Sequence, residues 1–153
     1  MKHKVAILLG SASDEEVMRG CTQYLERFGI DFELRVSSAH RQPDATVEFV
    51  KNAEKNGFSL LITAAGMAAH LPGVAASHTV LPVIGVPLDG SALKGVDALY
   101  SIVQMPAGIP VATVAIGAAG AKNAAVLAAE ILALNDADLR NRLVEFRKKG
   151  STF

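Results

Sequence analysis

Three short segments hold residue types able to bind and move charge. The first is Ser37-Ser38-Ala39-His40-Arg41-Gln42-Pro43. Arg41 offers a planar, permanently charged fork that fits a phosphate. Ser37 and Ser38 add hydroxyl donors. Histidine is the side chain whose ordinary titration lies near neutral pH, so His40 is suited to give and take a proton. The second segment is Gly10-Ser11-Ala12-Ser13-Asp14. A glycine, two hydroxyls and a helix start make an anion site, because free backbone N–H groups and the helix dipole favour negative charge. Asp14 would repel a phosphate and suits a sugar diol better. The segment is neither G-x-G-x-x-G nor a P-loop. The third is the small-residue run around Gly66, Ala68, Ala69, His70 and Leu71. Such a run lets a flat ligand approach the backbone and leaves a pocket with few polar atoms.

Each segment also has a plainer reading. Ser13-Asp14-Glu15-Glu16 has the form of a capping box, with Ser13 as the cap and Glu16 reaching back. His40 and Arg41 could be surface residues ahead of a helix. Small residues around Gly66 could reflect tight packing, and His70 could cap the turn before Pro72. The stretches Gly85-Val86-Pro87-Leu88 and Tyr100 to Pro106 read as packing and turn, or as walls of a site. His3 and His78 are expected to be structural or surface residues. The four histidines lack H-x-x-H or H-x-H spacing, so no metal site is expected. Cys21 reads as a small core residue, and Arg147-Lys148-Lys149 as a solvated helix end. No G-x-S-x-G is present, which leaves a serine hydrolase unsupported.

These segments must be held by a scaffold. Apolar runs predict strands at 5–9, 31–37, 59–64, 83–86 and 111–116. The first, third, fourth and fifth are continuous rather than alternating, as expected of strands covered on both faces. Amphipathic stretches predict helices at 14–28, 43–56, 72–78, 91–104, 121–134 and 136–149. Gly29 and Gly57 are placed as helix stops, and Pro43 suits a first turn. Strand and helix alternating in this way predicts right-handed crossovers and a parallel sheet. The expected fold is α/β: a flavodoxin-like three-layer αβα sandwich on a parallel five-stranded sheet of order 2-1-3-4-5, with an additional C-terminal helix. Ligands of such sheets bind beyond the carboxyl ends of the strands. That is where all three segments fall.

The 153 residues, 16.0 kDa, suit one domain, 1–153. Half are apolar and 20% charged, which excludes a disordered chain. Fifteen basic residues balance fifteen acidic ones, so neither nucleic acid nor an anionic membrane is an expected partner. A single cysteine excludes an internal disulfide. The apolar run 5–9 is too short for the core of a signal peptide, and no stretch approaches a membrane span. A soluble, cytoplasmic protein is expected. The alanine-rich stretch 121–134 is apolar nearly all round. One of its faces is expected to meet another subunit, unless the last helix folds over it.

Four segments together resemble the N5-carboxyaminoimidazole ribonucleotide mutase family of purine biosynthesis. They are Gly10 to Asp14, Ser38 to Asp44, Ala68 to Gly73, and Leu99 to Pro106, in order and at matching spacing over nearly the whole chain. Met67 departs from the pattern, standing where many relatives have Gly. The resemblance implies an isomerase acting in IMP biosynthesis, moving CO₂ from the exocyclic amine of an aminoimidazole ribonucleotide to ring carbon C4 without metal, ATP or redox cofactor. It implies that Ser11, Ser13, Asp14, Ser38 and Arg41 bind the ribonucleotide and that His40 carries the proton. It further implies that His70 contacts the carboxylate or neighbouring polar groups of the substrate, that Gly66, Ala68, Ala69 and Leu71 line a CO₂ pocket, and that the protein is a homo-octamer. An aminoimidazole ribonucleotide carboxylase using free CO₂ is the nearest alternative. Its members lack the run kept here as Ala69-His70-Leu71-Pro72-Gly73. A receiver or flavin-binding module is disfavoured. Gly10-Ser11 and Ala65-Gly66 stand where a receiver needs acids, and the loops lack aromatic faces.

Overall fold

The computed structural model describes residues 3–153. Five strands, β1 (Lys4–Leu9), β2 (Asp31–Val36), β3 (Leu60–Ala65), β4 (Val83–Pro87) and β5 (Ala112–Thr113), form one parallel sheet of order β2-β1-β3-β4-β5. The expected order is therefore observed. Residues 5–9 are fully buried because successive side chains enter opposite layers. Val5, Ile7 and Leu9 face α1 (Glu15–Phe28), α5 (Ala118–Leu132) and α6 (Ala137–Lys148). Ala6 and Leu8 face α2 (Pro43–Asn52), α3 (Leu71–Ala76) and α4 (Val96–Val103), meeting Phe49, Val50, Leu71 and Ile102. Burying an aliphatic side chain of this kind contributes about 1.5–3 kcal/mol, so β1 is a main anchor of both layers.

Several expected boundaries move. The fifth strand is not covered on both faces: β5 pairs only with β4, through Ala112 and Thr113, and Ala112 is exposed. As an edge strand it has one neighbour to hold it, and the chain leaves the sheet after two residues. Helix α4 begins at Val96 rather than 91, because Lys94 and Gly95 lie at φ 52° and 87°, outside helical space. Helix α2 ends at Asn52, and hydrogen-bonded turns carry the chain to Gly57 at φ 82°. Gly29 closes α1 at φ 68° as expected.

The capping box is not at Ser13. Ser11 caps a 3₁₀ turn, Ala12–Asp14, that precedes α1. The Ser13 N–H donates to Ser11 Oγ at 3.4 Å, and the Ser11 N–H donates to Asp14 Oδ2 at 3.0 Å. The extra turn shifts the reciprocal pair two residues back from Ser13 and Glu16.

The apolar circumference of α5 is largely met within the chain. Ala121, Ala124, Ala125, Ala128 and Ala129 are fully buried in the layer that α1 and α6 complete. The last helix does fold over α5, with Leu139, Leu143 and Phe146 in the same cluster. The reason given for a subunit contact at this helix is thereby removed, and only Leu134, just beyond it, stands out at 76% exposed. His3 is structural: its Nε2 lies 3.1 Å from Asp136 Oδ2, and the other oxygen of Asp136 caps α6 at the Leu139 N–H. His78, just beyond α3, is turned back onto it, with Nδ1 2.9 Å from the Val74 carbonyl.

Candidate active site

The carboxyl ends of β1, β2, β3 and β4 open into one cleft of about 890 Å³. The residues expected from the sequence line it, Ser11, Ser13 and Asp14 after β1, Ser38, His40 and Arg41 after β2, and Gly66, Ala68, His70 and Leu71 after β3, with the exception of Ala69, whose side chain is turned into the core beside Leu71. Leu88 and Gly90, beyond β4, complete the wall. Gly90 was not singled out from the sequence, although the position of β4 beside β3 was sufficient to find it. Tyr100 to Pro106 does not reach the cleft. Ile102 is buried in the core, Met105 packs against Gly73, and Tyr100 is 63% exposed.

The loop after β2 is fixed from beneath. Ser37 and Thr46 are buried, and their hydroxyls meet at 2.7 Å. Thr46 also donates to the Gln42 carbonyl at 2.9 Å, so Ser37 supplies the proton of the shared contact. The Gln42 N–H donates to the Ser38 carbonyl, and the Arg41 N–H donates to Ser38 Oγ. This internal bonding leaves the His40 ring and the Arg41 guanidinium at the surface of the cleft. Among the described residues no carboxylate lies within ion-pair distance of Arg41. It is a cation available to a ligand.

The loops after β2 and β3 meet through their histidines. His40 Nε2 lies 2.7 Å from His70 Nδ1, with the rings nearly perpendicular. One ring donates and the other accepts, so the contact holds a single proton. It uses one nitrogen of each ring and leaves each imidazole a second nitrogen. His70 is held by its own backbone, its N–H donating to the Ala68 carbonyl at 2.8 Å and its carbonyl accepting from Val74.

The β1 loop faces this pair with acceptors and donors. Ser11 and Ser13 hydroxyls are 3.0 Å apart. Burial pushes the Asp14 carboxyl above its ordinary value, and the hydrogen bond from the Ser11 N–H works the other way. Among the described residues no three His, Cys, Asp or Glu side chains converge as a metal site would require.

Residues 4–152 match the family model described as AIR carboxylase. The chain belongs to that family. A relative named N5-carboxyaminoimidazole ribonucleotide mutase from Brucella melitensis is 57% identical, over 97% of this chain and 91% of its own length. One of the same name from Escherichia coli K12 is 52% identical, over 95% and 86%. Among solved structures, Treponema denticola PurE superposes with a TM-score of 0.88 at 31% identity, covering 98% of this chain and 92% of its own. The AIR carboxylase family fold thus spans the sheet and every loop of the cleft.

Proposed function

We propose that this chain is an N5-carboxyaminoimidazole ribonucleotide mutase of de novo purine biosynthesis, acting as one domain over residues 1–153. The observation that carries the reading is the single cleft in which His40, touching His70, shares its walls with the uncommitted Arg41, the Ser11–Ser13 turn and Asp14. Arg41, Ser11, Ser13 and Ser38 take the phosphate and its neighbouring oxygens. Asp14 accepts from the ribose hydroxyls. The aminoimidazole lies toward His40, and His70 contacts its carboxylate.

His40 gives a proton to the carbamate nitrogen. The N–C bond breaks with its electron pair remaining on nitrogen, and CO₂ is released beside a neutral aminoimidazole. Carbon C4 then attacks CO₂ and a C–C bond forms. The proton on C4 returns to His40, which restores both the aromatic ring and the starting imidazolium. No net proton, electron or cofactor is consumed. Holding both fragments in one cage supplies rate through proximity. Gly66, Ala68 and Leu71 give that cage an apolar lining.

The carboxylase reading, in which free CO₂ meets aminoimidazole ribonucleotide, is weaker. Ala69-His70-Leu71-Pro72-Gly73 is intact and places His70 on His40. The deciding assay supplies each ribonucleotide to purified protein, with bicarbonate added or withheld. Conversion of the carbamate without bicarbonate supports the mutase. Turnover only of aminoimidazole ribonucleotide with bicarbonate overturns it.

The protein works in the cytoplasm as a homo-octamer, with a small-molecule ribonucleotide as substrate and neither nucleic acid nor membrane as partner. No helix among the described residues is long and apolar enough to cross a membrane. What supports assembly is α4 rather than α5. Val96, Tyr100 and Val103 repeat on one face of α4, all exposed, with exposed Leu93 just before them. Light scattering giving a monomer would remove the octamer.

A further inference from the structure

Met67 occupies a backbone conformation that does not suit it. Its φ is 55°, in the left-handed region that glycine enters freely and a methionine does not. The turn is held there by the Ala69 N–H donating to the Met67 carbonyl at 2.9 Å. The side chain gains little from the fold in return, since it is 64% exposed. Its neighbours Gly66 and Ala68 are small, so no packing need calls for bulk at this point. Yet Met67 lines the same cleft as His40 and His70. Strain without a folding gain, at the rim of a reactive cavity, points to a role in the reaction.

We propose that Met67 retains the released CO₂, its side chain covering the mouth of the cleft. The proposal rests on the mutase reading above, which requires a free CO₂ between bond breaking and bond making. An unbranched thioether with three rotatable bonds can admit a ribonucleotide and then fold over the opening. It presents only apolar atoms to an apolar, linear molecule, and it keeps out the water that would convert CO₂ to bicarbonate.

The test follows the fate of the carboxyl carbon. Unlabelled carbamate substrate is converted in [¹³C]bicarbonate, with carbonic anhydrase keeping the label equilibrated as CO₂, and the product is read by mass spectrometry. Met67→Gly is compatible with φ 55° and is expected to fold, with an unfolding midpoint no lower than wild type. Its product should carry label at about five times the wild-type fraction or more, while Met67→Leu, which keeps apolar bulk, should stay within about twofold of wild type. A Met67→Gly product labelled no more than wild type overturns the proposal, as does Met67→Leu leaking as freely as Met67→Gly. A wild-type product carrying the full bulk label fails at an earlier point. It sinks the mutase reading, and CO₂ retention with it.

Discussion

His40 Nε2 and His70 Nδ1 stand 2.7 Å apart across the cleft, although the residues are thirty positions apart in the chain. The contact exists because β2 and β3 both flank β1. Their carboxyl ends are therefore about 10 Å apart, two strand spacings, and the two imidazoles span that gap. Gly10 follows β1, and its N–H donates to the Ala64 carbonyl at 3.1 Å, tying the start of the β1 loop to β3. His70 consequently decides which way the His40 ring points.

Replacing His70 should therefore act through His40 as well as through its own contact with the substrate carboxylate. His70→Phe keeps the ring shape and removes both nitrogens. A lost hydrogen bond of this kind costs about 1.4 kcal/mol, or roughly tenfold in kcat. His70→Gln, which can still donate and accept, should recover part of the loss. An unchanged kcat in His70→Phe would show that His70 only fills space.

Asp14 gives a prediction in which stability and function move oppositely. Its carboxyl is raised by burial, so folding favours the protonated form. The sign follows: the ionised group costs stability as pH rises from the ordinary aspartate value through the raised folded value, and the cost is then constant up to neutral pH. Asp14→Asn retains an acceptor for the Ser11 N–H without the charge. Denaturant unfolding at pH 7 should find it as stable as wild type or more so. Its ribonucleotide affinity should fall about tenfold or more, since hydrogen bonds to a charged group are the stronger kind.

The Ser37–Thr46 contact positions the His40 loop, and it is buried. Thr46→Val removes the partner of the buried Ser37 hydroxyl, while the Gln42 carbonyl keeps the backbone N–H of residue 46. Chemical denaturation should show a loss of about 1–3 kcal/mol. The double variant with Ser37→Ala should cost less than the two single losses added, because it leaves no orphaned hydroxyl. Strict additivity would contradict the pairing.

Burial pushes the Cys21 thiol up to about 12. Almost no thiolate exists at neutral pH, and the sulfur is inaccessible inside α1. A disulfide reagent should therefore leave the folded protein unmodified and titrate its single thiol only after denaturant is added. Fast reaction of the folded protein would contradict this packing.

Much of the scaffold was legible because strong signals acted alone. The runs at 5–9 and 83–86 carry no polar side chain, the pattern expected of strands covered on both faces. The run at 111–116 carries the same signal but lies at the sheet edge, a fact that depends on topology rather than composition. Lys94 failed as a helix residue because its φ is set by the turn into Gly95, which residue type alone does not reveal. Ser13 had the right spacing for a capping box, but a 3₁₀ turn upstream took Ser11 instead. In the site, residue types and strand ends sufficed to gather Ser11, Asp14, His40, Arg41 and His70. Their mutual geometry was not legible. The meeting of His40 with His70 needs the strand order, and the support from Thr46 comes from the first turn of α2, a residue that the sequence marks only as helix.

The account stands on His40 as the group that moves the proton, and His40→Asn tests it most directly. Calorimetric binding of the ribonucleotide product should remain within a few-fold of wild type, while turnover of the carbamate substrate should drop by about 10²–10⁴-fold, the usual contribution of positioned proton transfer. Turnover near the wild-type rate with binding intact would contradict the assignment.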